Sequence, residues 1–128
     1  MVKVRLMEEK DLKAVFSLIQ DVTLPEEVFV KDSLYQIQCG IGKSIVAYNG
    51  KNLVGVLILD GNLIDTIVSS KSGTATVLLG SLAGSGYHFA YVSPLNKKSR
   101  QMFEKNGFTS AEITKQYGYD RLVYEGIL

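Results

Sequence analysis

The sequence has one cysteine and one histidine among its 128 residues. A lone cysteine, Cys39, excludes an internal disulfide, so the chain suits a reducing compartment and a cytoplasmic location is expected. No apolar run approaches the ~20 residues needed to cross a bilayer, so no membrane partner is expected. Lys3, Arg5, Glu8, Glu9, Lys10, Asp11 and Lys13 interrupt any apolar core of a secretion signal near residue 1. A dominant charge sign is missing too. Fourteen Lys and Arg against thirteen Asp and Glu leave a net charge of +1, which gives nucleic acid no electrostatic footprint. Metal-ligand spacing is absent. His88 reads as a structural neighbour of a strand, and Cys39 precedes a glycine loop with no histidine near it in sequence. Neither a metal centre nor a cysteine nucleophile is expected. No repeat, low-complexity tract or linker divides the chain.

What remains is 46% hydrophobic and 21% charged, which is ordinary for one globular domain spanning 1–128. Val2, Val4 and Leu6 alternate with Lys3 and Arg5, the period of a half-buried strand. Asp11 can cap a helix whose Leu12, Val15, Phe16 and Ile19 form one stripe. Thr23 and Glu26 read as a capping box, with Pro25 in the first turn of a second helix running to about Tyr35. Residues 44–48, 53–59 and 63–68 are strands, separated by the hairpin signals Asn49-Gly50 and Asp60-Gly61. Gly55, inside the almost wholly apolar second strand, marks a bulge or a close backbone approach. Residues 73–83 form a helix, and 63–92 then make a strand–helix–strand unit whose strands run parallel. Residues 111–114 and 121–127 pair around the loop KQYGYD. The expected class is α+β, a mixed sheet flanked by about four helices.

The most informative stretch is NKKSRQMFEKNGF, residues 96–108, entered from the strand HFAYV. Pro94 presets a helical φ, and Ser93 or Asn96 can cap. Ser99, Met102, Phe103 and Asn106 share one face, and Asn106-Gly107 ends the helix. This run resembles a motif of the GCN5-related N-acetyltransferases (GNAT): Asn96, Ser99, Met102, Phe103, Lys105, Gly107 and Phe108 fall at the family's spacing without a gap. The opening VRLMEEKDLKAVFSLIQD and the order of elements resemble that family as well. The resemblance implies antiparallel N-terminal strands, a splayed parallel pair (63–68 and 87–92), and acetyl-CoA (coenzyme A) as co-substrate.

A second motif lies at Ser70, Lys71, Ser72, Gly73, Thr74 and Ala75. A small-residue turn opening a helix leaves N–H groups unpaired, and the dipole there favours an anion. The resemblance makes that anion the cofactor's pyrophosphate, with Gly73, Thr74, Ala75 and Thr76 cradling it and Lys71 and Ser72 beside it. Ser70 departs from the family's Gln or Arg, which removes a side-chain contact and leaves the backbone cradle. The resemblance further implies that the pantetheine arm pairs with backbone at Thr66, Ile67 and Val68, that Asn96 contacts it, and that Ser99 and Phe103 border it. Asp65 is the candidate base, with Asp60 and Glu27 as others; a polar residue on the outer face of a strand is the competing reading. Phe103 lacks the hydroxyl with which family members protonate the departing thiolate. Tyr117 and Tyr119 are candidate substitutes or plain loop aromatics. A thiol with pKa of about 8.5 is already a fair leaving group. Lys97, Lys98 and Arg100 read as a solvated helix face, with contact to the cofactor's terminal phosphate as the competing reading.

Three functions compete at this point: an acyl-CoA-dependent N-acyltransferase acting on a small-molecule or peptide amine, a GNAT-like module that binds coenzyme A or a protein without turnover, and an α/β domain holding another phosphate ligand at Gly73. The apolar C-terminal strand RLVYEGIL also offers pairing across a homodimer.

Overall fold

A computed structural model describes residues 1–22, 37–116 and 118–128. The elements are β1 (Val2–Leu6), a 3-10 turn (Glu9–Asp11), α1 (Leu12–Val22), β2 (Ile45–Asn49), β3 (Asn52–Asp60), β4 (Leu63–Ser69), α2 (Thr74–Gly80), β5 (Tyr87–Val92), α3 (Lys97–Lys105), β6 (Thr109–Gln116) and β7 (Tyr119–Ile127). The strands form one sheet in the order β1-β2-β3-β4-β5-β7-β6. Every pairing is antiparallel except β4 with β5. The α+β class and the mixed sheet are as expected. The Thr23–Glu26 capping box, the second helix and Glu27 lie outside the described residues.

Alternation along the strands builds two layers. Ile45, Ala47, Leu57, Ile64, Ala90, Val92 and Tyr124 pack under Leu78 and Leu79 of α2 and Phe103 of α3. The intervening Val46, Val56 and Ile58 turn the other way, against Val15, Leu18 and Ile19 of α1. Gly55 serves a close approach. A Cβ there would lie 2.6 Å from Thr74 Cγ2 and 3.1 Å from Leu78 Cδ1, so only glycine lets α2 sit this near the sheet. The register also shifts beside it, leaving Val54 as an extra residue on β3.

Four local expectations change. Asp11 does not cap α1; it ends the 3-10 turn, and its carboxylate accepts from the Glu8 N–H at 2.8 Å. The carboxylate also takes a two-point contact from Arg5, at 2.7 and 2.8 Å, and the Tyr48 hydroxyl at 2.7 Å. That network ties the start of α1 to β1 and β2. The helix expected over 73–83 covers Thr74–Gly80, and Ser81 Oγ donates to Leu78 O at its end. The final hairpin is longer than expected, because Lys115 and Asp120, read as loop, are paired strand residues joined by a 2.9 Å ion pair. Finally, β7 lies between β5 and β6, so both its backbone edges are occupied and RLVYEGIL is not an open strand for a second copy.

Candidate functional site

The two parallel strands share one paired rung. Leu63 lies opposite Phe89, and the Phe89 N–H donates to Asn62 O at 3.0 Å. Beyond it, β4 continues to Ser69 and β5 to Val92 with no further pairing between them. The far edges stay zipped: β4 pairs with β3 from Leu63 to Ser69, and β5 with β7 from Tyr87 to Val92. A V therefore opens toward the carboxyl ends of two parallel strands, and a helix starts beyond each arm: α2 after β4, α3 after β5. Ligands of sheet proteins settle at such divergences.

The hydrogen-bond phase of β4 decides what faces the V. The Ser70 N–H donates to Val54 O at 2.9 Å, which makes Ser70 a hydrogen-bonded rung opposite Val54. The register is unbroken from there to Thr66, so Val68 and Thr66 are hydrogen-bonded rungs opposite Val56 and Ile58. Ser69 and Ile67, between them, turn N–H and C=O away from β3 and into the V. Of the backbone positions expected to face a ligand, Ile67 does so. Thr66 and Val68 are engaged by β3, and Ser69 joins Ile67.

Below them the register slips by one residue between Ile58 and Leu59, which leaves Asp65 as the extra residue of a bulge on β4. The half-buried Asp65 carboxyl is pushed above its ordinary value, first by burial and then by the Asp60 charge, with the Thr66 hydroxyl pulling back. That hydroxyl lies 3.4 Å from Asp65 Oδ2. A base whose protonation shifts toward neutrality is the kind that removes a proton from an amine.

The turn into α2 is built around Gly73, whose φ of 84° is left-handed and suits glycine. Ser70, Lys71 and Ser72 are exposed, and Ala75 is half-buried. The Thr74 N–H donates to Lys71 O at 3.2 Å and the Val77 N–H to Gly73 O at 3.3 Å, so the Ala75 and Thr76 N–H groups are the ones the first turn leaves open. Thr74 is 1% exposed, and its hydroxyl has no hydrogen-bond partner among the described residues, an orphaned buried oxygen at the mouth of this turn. Thr76 Oγ1 accepts from Asn106 Nδ2 at 3.4 Å, which joins α2 to the end of α3.

On the other arm, Asn96 caps α3, its Oδ1 accepting from the Ser99 N–H at 3.1 Å. That oxygen is engaged by the helix; Ser99 itself is half-buried. Gly107 takes φ 88° and Phe108 returns to the core, its N–H donating to Phe103 O at 2.9 Å. Phe103 is 2% exposed, stacks on Tyr124 at 5.8 Å and meets Phe108 at 5.2 Å; it offers an apolar wall. Lys97 and Lys98 are exposed as expected, whereas Arg100 is half-buried and donates to Pro94 O at 3.1 Å. Tyr117 lies outside the described residues, and Tyr119 is 58% exposed with its ring under Arg121. His88 is buried, Nδ1 lying 3.0 Å from Gly86 O. Among the described residues no group of His, Cys, Asp or Glu is placed to hold a metal ion, and no helix is long and apolar enough to cross a membrane.

No family model matches the sequence, and no curated protein matches it. Solved structures do. A GNAT-family acetyltransferase of Bacillus cereus superposes with a TM-score of 0.78 at 19% identity, over 99% of this chain and 97% of the other. Naa50 of Arabidopsis thaliana, in complex with a bisubstrate analogue CoA-Ac-MVNAL, gives 0.76 at 18%, over 98% and 97%. The diaminobutyrate acetyltransferase EctA of Paenibacillus lautus, in complex with its substrate and coenzyme A, gives 0.76 at 19%, over 99% and 94%. With β4 and β5 splayed, α2 and α3 opening beyond them and this likeness along nearly the whole chain, the protein has the fold of the GCN5-related N-acetyltransferases.

Proposed function

We propose that the protein transfers an acyl group, acetyl in the first instance, from acetyl-coenzyme A to an amine by direct attack. The observation that carries this reading is the V itself: a slot whose β4 wall presents the N–H and C=O of Ile67 and Ser69, and which ends at the Gly73 turn. A pantetheine arm carries amides that match such a wall, and a diphosphate matches a first helical turn with open N–H groups. The orphaned Thr74 hydroxyl fits the second role, because a phosphate oxygen would give it the partner it lacks. Lys71 and Ser72 stand beside the turn, with Ala75 leaving room and Thr76 at the rim. Asn96, Ser99 and Phe103 border the opposite arm. Bound coenzyme A in the Paenibacillus enzyme and the coenzyme A analogue on Naa50 support the assignment by likeness of fold.

In this reading the acceptor amine comes to the bulge at Asp65, which takes a proton from it directly or through water. The amine nitrogen then attacks the thioester carbonyl. A backbone N–H facing the V stabilises the oxyanion, a contribution that reaches ~3 kcal/mol per donor. The acceptor is a small-molecule or peptide amine, and a reducing compartment such as the cytoplasm suits the exposed Cys39.

Two observations favour a second reading, a coenzyme A-binding module without turnover: Ser70 is a short exposed residue, and Phe103 supplies no hydroxyl. Acetyl-CoA titrated against melting temperature tests binding, since ligand at 100 times Kd adds about 2.7 kcal/mol. Thiol release with a panel of amines separates the readings. Release above hydrolysis supports transfer, binding without release supports the module, and no thermal shift at millimolar acetyl-CoA removes both.

A further inference from the structure

With phenylalanine at position 103, a proton for the leaving thiolate would have to come from elsewhere. The thiol is a fair leaving group without one, but tyrosine hydroxyls would speed its departure. Three of the described ones are engaged by carboxylates. Tyr48 donates to Asp11 at 2.7 Å, Tyr87 to Glu125 at 3.0 Å and Tyr124 to Glu104 at 2.5 Å. Tyr119 lies beyond the V, on the β6–β7 hairpin, under Arg121.

Tyr91 differs from all of these. It lies on β5, two residues past Phe89, which forms the closing rung with Leu63. On β4 the residue two past Leu63 is Asp65, so Asp65 and Tyr91 occupy corresponding positions on the two arms where the V begins to open. Strand alternation places the Tyr91 side chain on the face of Phe89, the sheet face that α1 covers over β3 and β4. Its ring meets Phe89 edge-on at 5.7 Å and 74°. Tyr91 is half-buried, and its hydroxyl has no hydrogen-bond partner among the described residues.

We propose that Tyr91 protonates the departing thiolate, an assignment that rests on the acyl-transfer reading above. The amine lone pair forms the C–N bond while Asp65 takes the amine proton. The tetrahedral intermediate then collapses, the C–S pair leaves on sulfur, and the Tyr91 hydroxyl proton goes to that sulfur. Asp65 returns its proton to the tyrosinate, and the products are amide and thiol. Asp65 and Tyr91 thus divide base and acid between the two arms.

The test uses the full chain, acetyl-CoA and the amine giving the fastest thiol release. Tyr91→Phe keeps the ring contact and removes the oxygen; it should lower kcat on the order of 10²-fold, the low end for acid–base catalysis. The KM for acetyl-CoA and the melting-temperature rise it induces should stay as in the parent. Tyr87→Phe, on the same strand face one step below the rung, should leave kcat unchanged. Parent-like kcat in Tyr91→Phe overturns the assignment, as does a kcat loss accompanied by a lost acetyl-CoA stabilisation, which makes Tyr91 a packing residue. A parent chain that releases no thiol with any amine overturns the acyl-transfer reading itself, and that failure is visible before any variant is made.

Discussion

Replacing Asp11 by Asn should weaken the fold by an amount its surroundings already specify. Its carboxyl lies at about 2, against an ordinary 3.8, chiefly because Arg5 bonds it through two nitrogens and the Glu8 N–H and Tyr48 hydroxyl add to that. The gap converts to about 2 kcal/mol of stability for the ionised group. Arg5 is 38% exposed on its side chain, so solvent screening trims this toward about 1–2 kcal/mol. A depressed carboxyl contributes fully above its unfolded value and loses that contribution as the pH falls through its folded one. The difference between parent and Asp11→Asn should therefore be constant from pH 7 to about 5 and shrink between pH 4 and 2. Urea unfolding followed by circular dichroism measures it; at a slope of about 1–3 kcal/mol per molar, the midpoint should drop by about 1 M at pH 7. Equal midpoints at pH 7, or a difference that grows toward pH 2, would refute the reasoning that this buried network fastens α1 to the sheet.

Gly55→Ala puts a methyl 2.6 Å from Thr74 Cγ2; it should cost about 1–3 kcal/mol and, by moving the start of α2, weaken the acetyl-CoA thermal shift as well. Asp65→Asn should remove the acid limb of the rate profile. Because burial raises that carboxyl, the parent's limb should stand at higher pH than an ordinary aspartate gives, and the amide should melt no lower than the parent at pH 7, where the ionised carboxyl is a burden to the fold.

Strand and helix positions were legible because their patterns are local. Asn49-Gly50, Asp60-Gly61 and Asn106-Gly107 carry their turns in two residues, and the alternation of Val46 and Val56 against Ala47 and Leu57 follows from one period. The site was legible as a stretch and not in its phase. Thr66, Ile67 and Val68 were all expected to face the ligand, yet which of them does depends on a hydrogen bond from Ser70 to Val54 that no side chain announces. The bulge at Asp65 carries no glycine to signal it. Asn96 reads equally well as a cap or a ligand contact, and its oxygen serves the cap. KQYGYD reads as a loop, but Lys115 and Asp120 pair across the hairpin. Nothing in the strand HFAYV singles out Tyr91; its position shows only once Leu63 and Phe89 are known to be the last rung.

The most direct test of the central claim is amide hydrogen exchange, residue by residue, with and without saturating acetyl-CoA. The phase of β4 predicts that the Ile67 and Ser69 amides exchange fast in the free protein and become protected on binding, while Thr66 and Val68, already bonded to β3, change little. Equal protection of all four in the free protein, or protection on binding confined to residues outside the V, would contradict a cleft that holds the cofactor between β4 and β5.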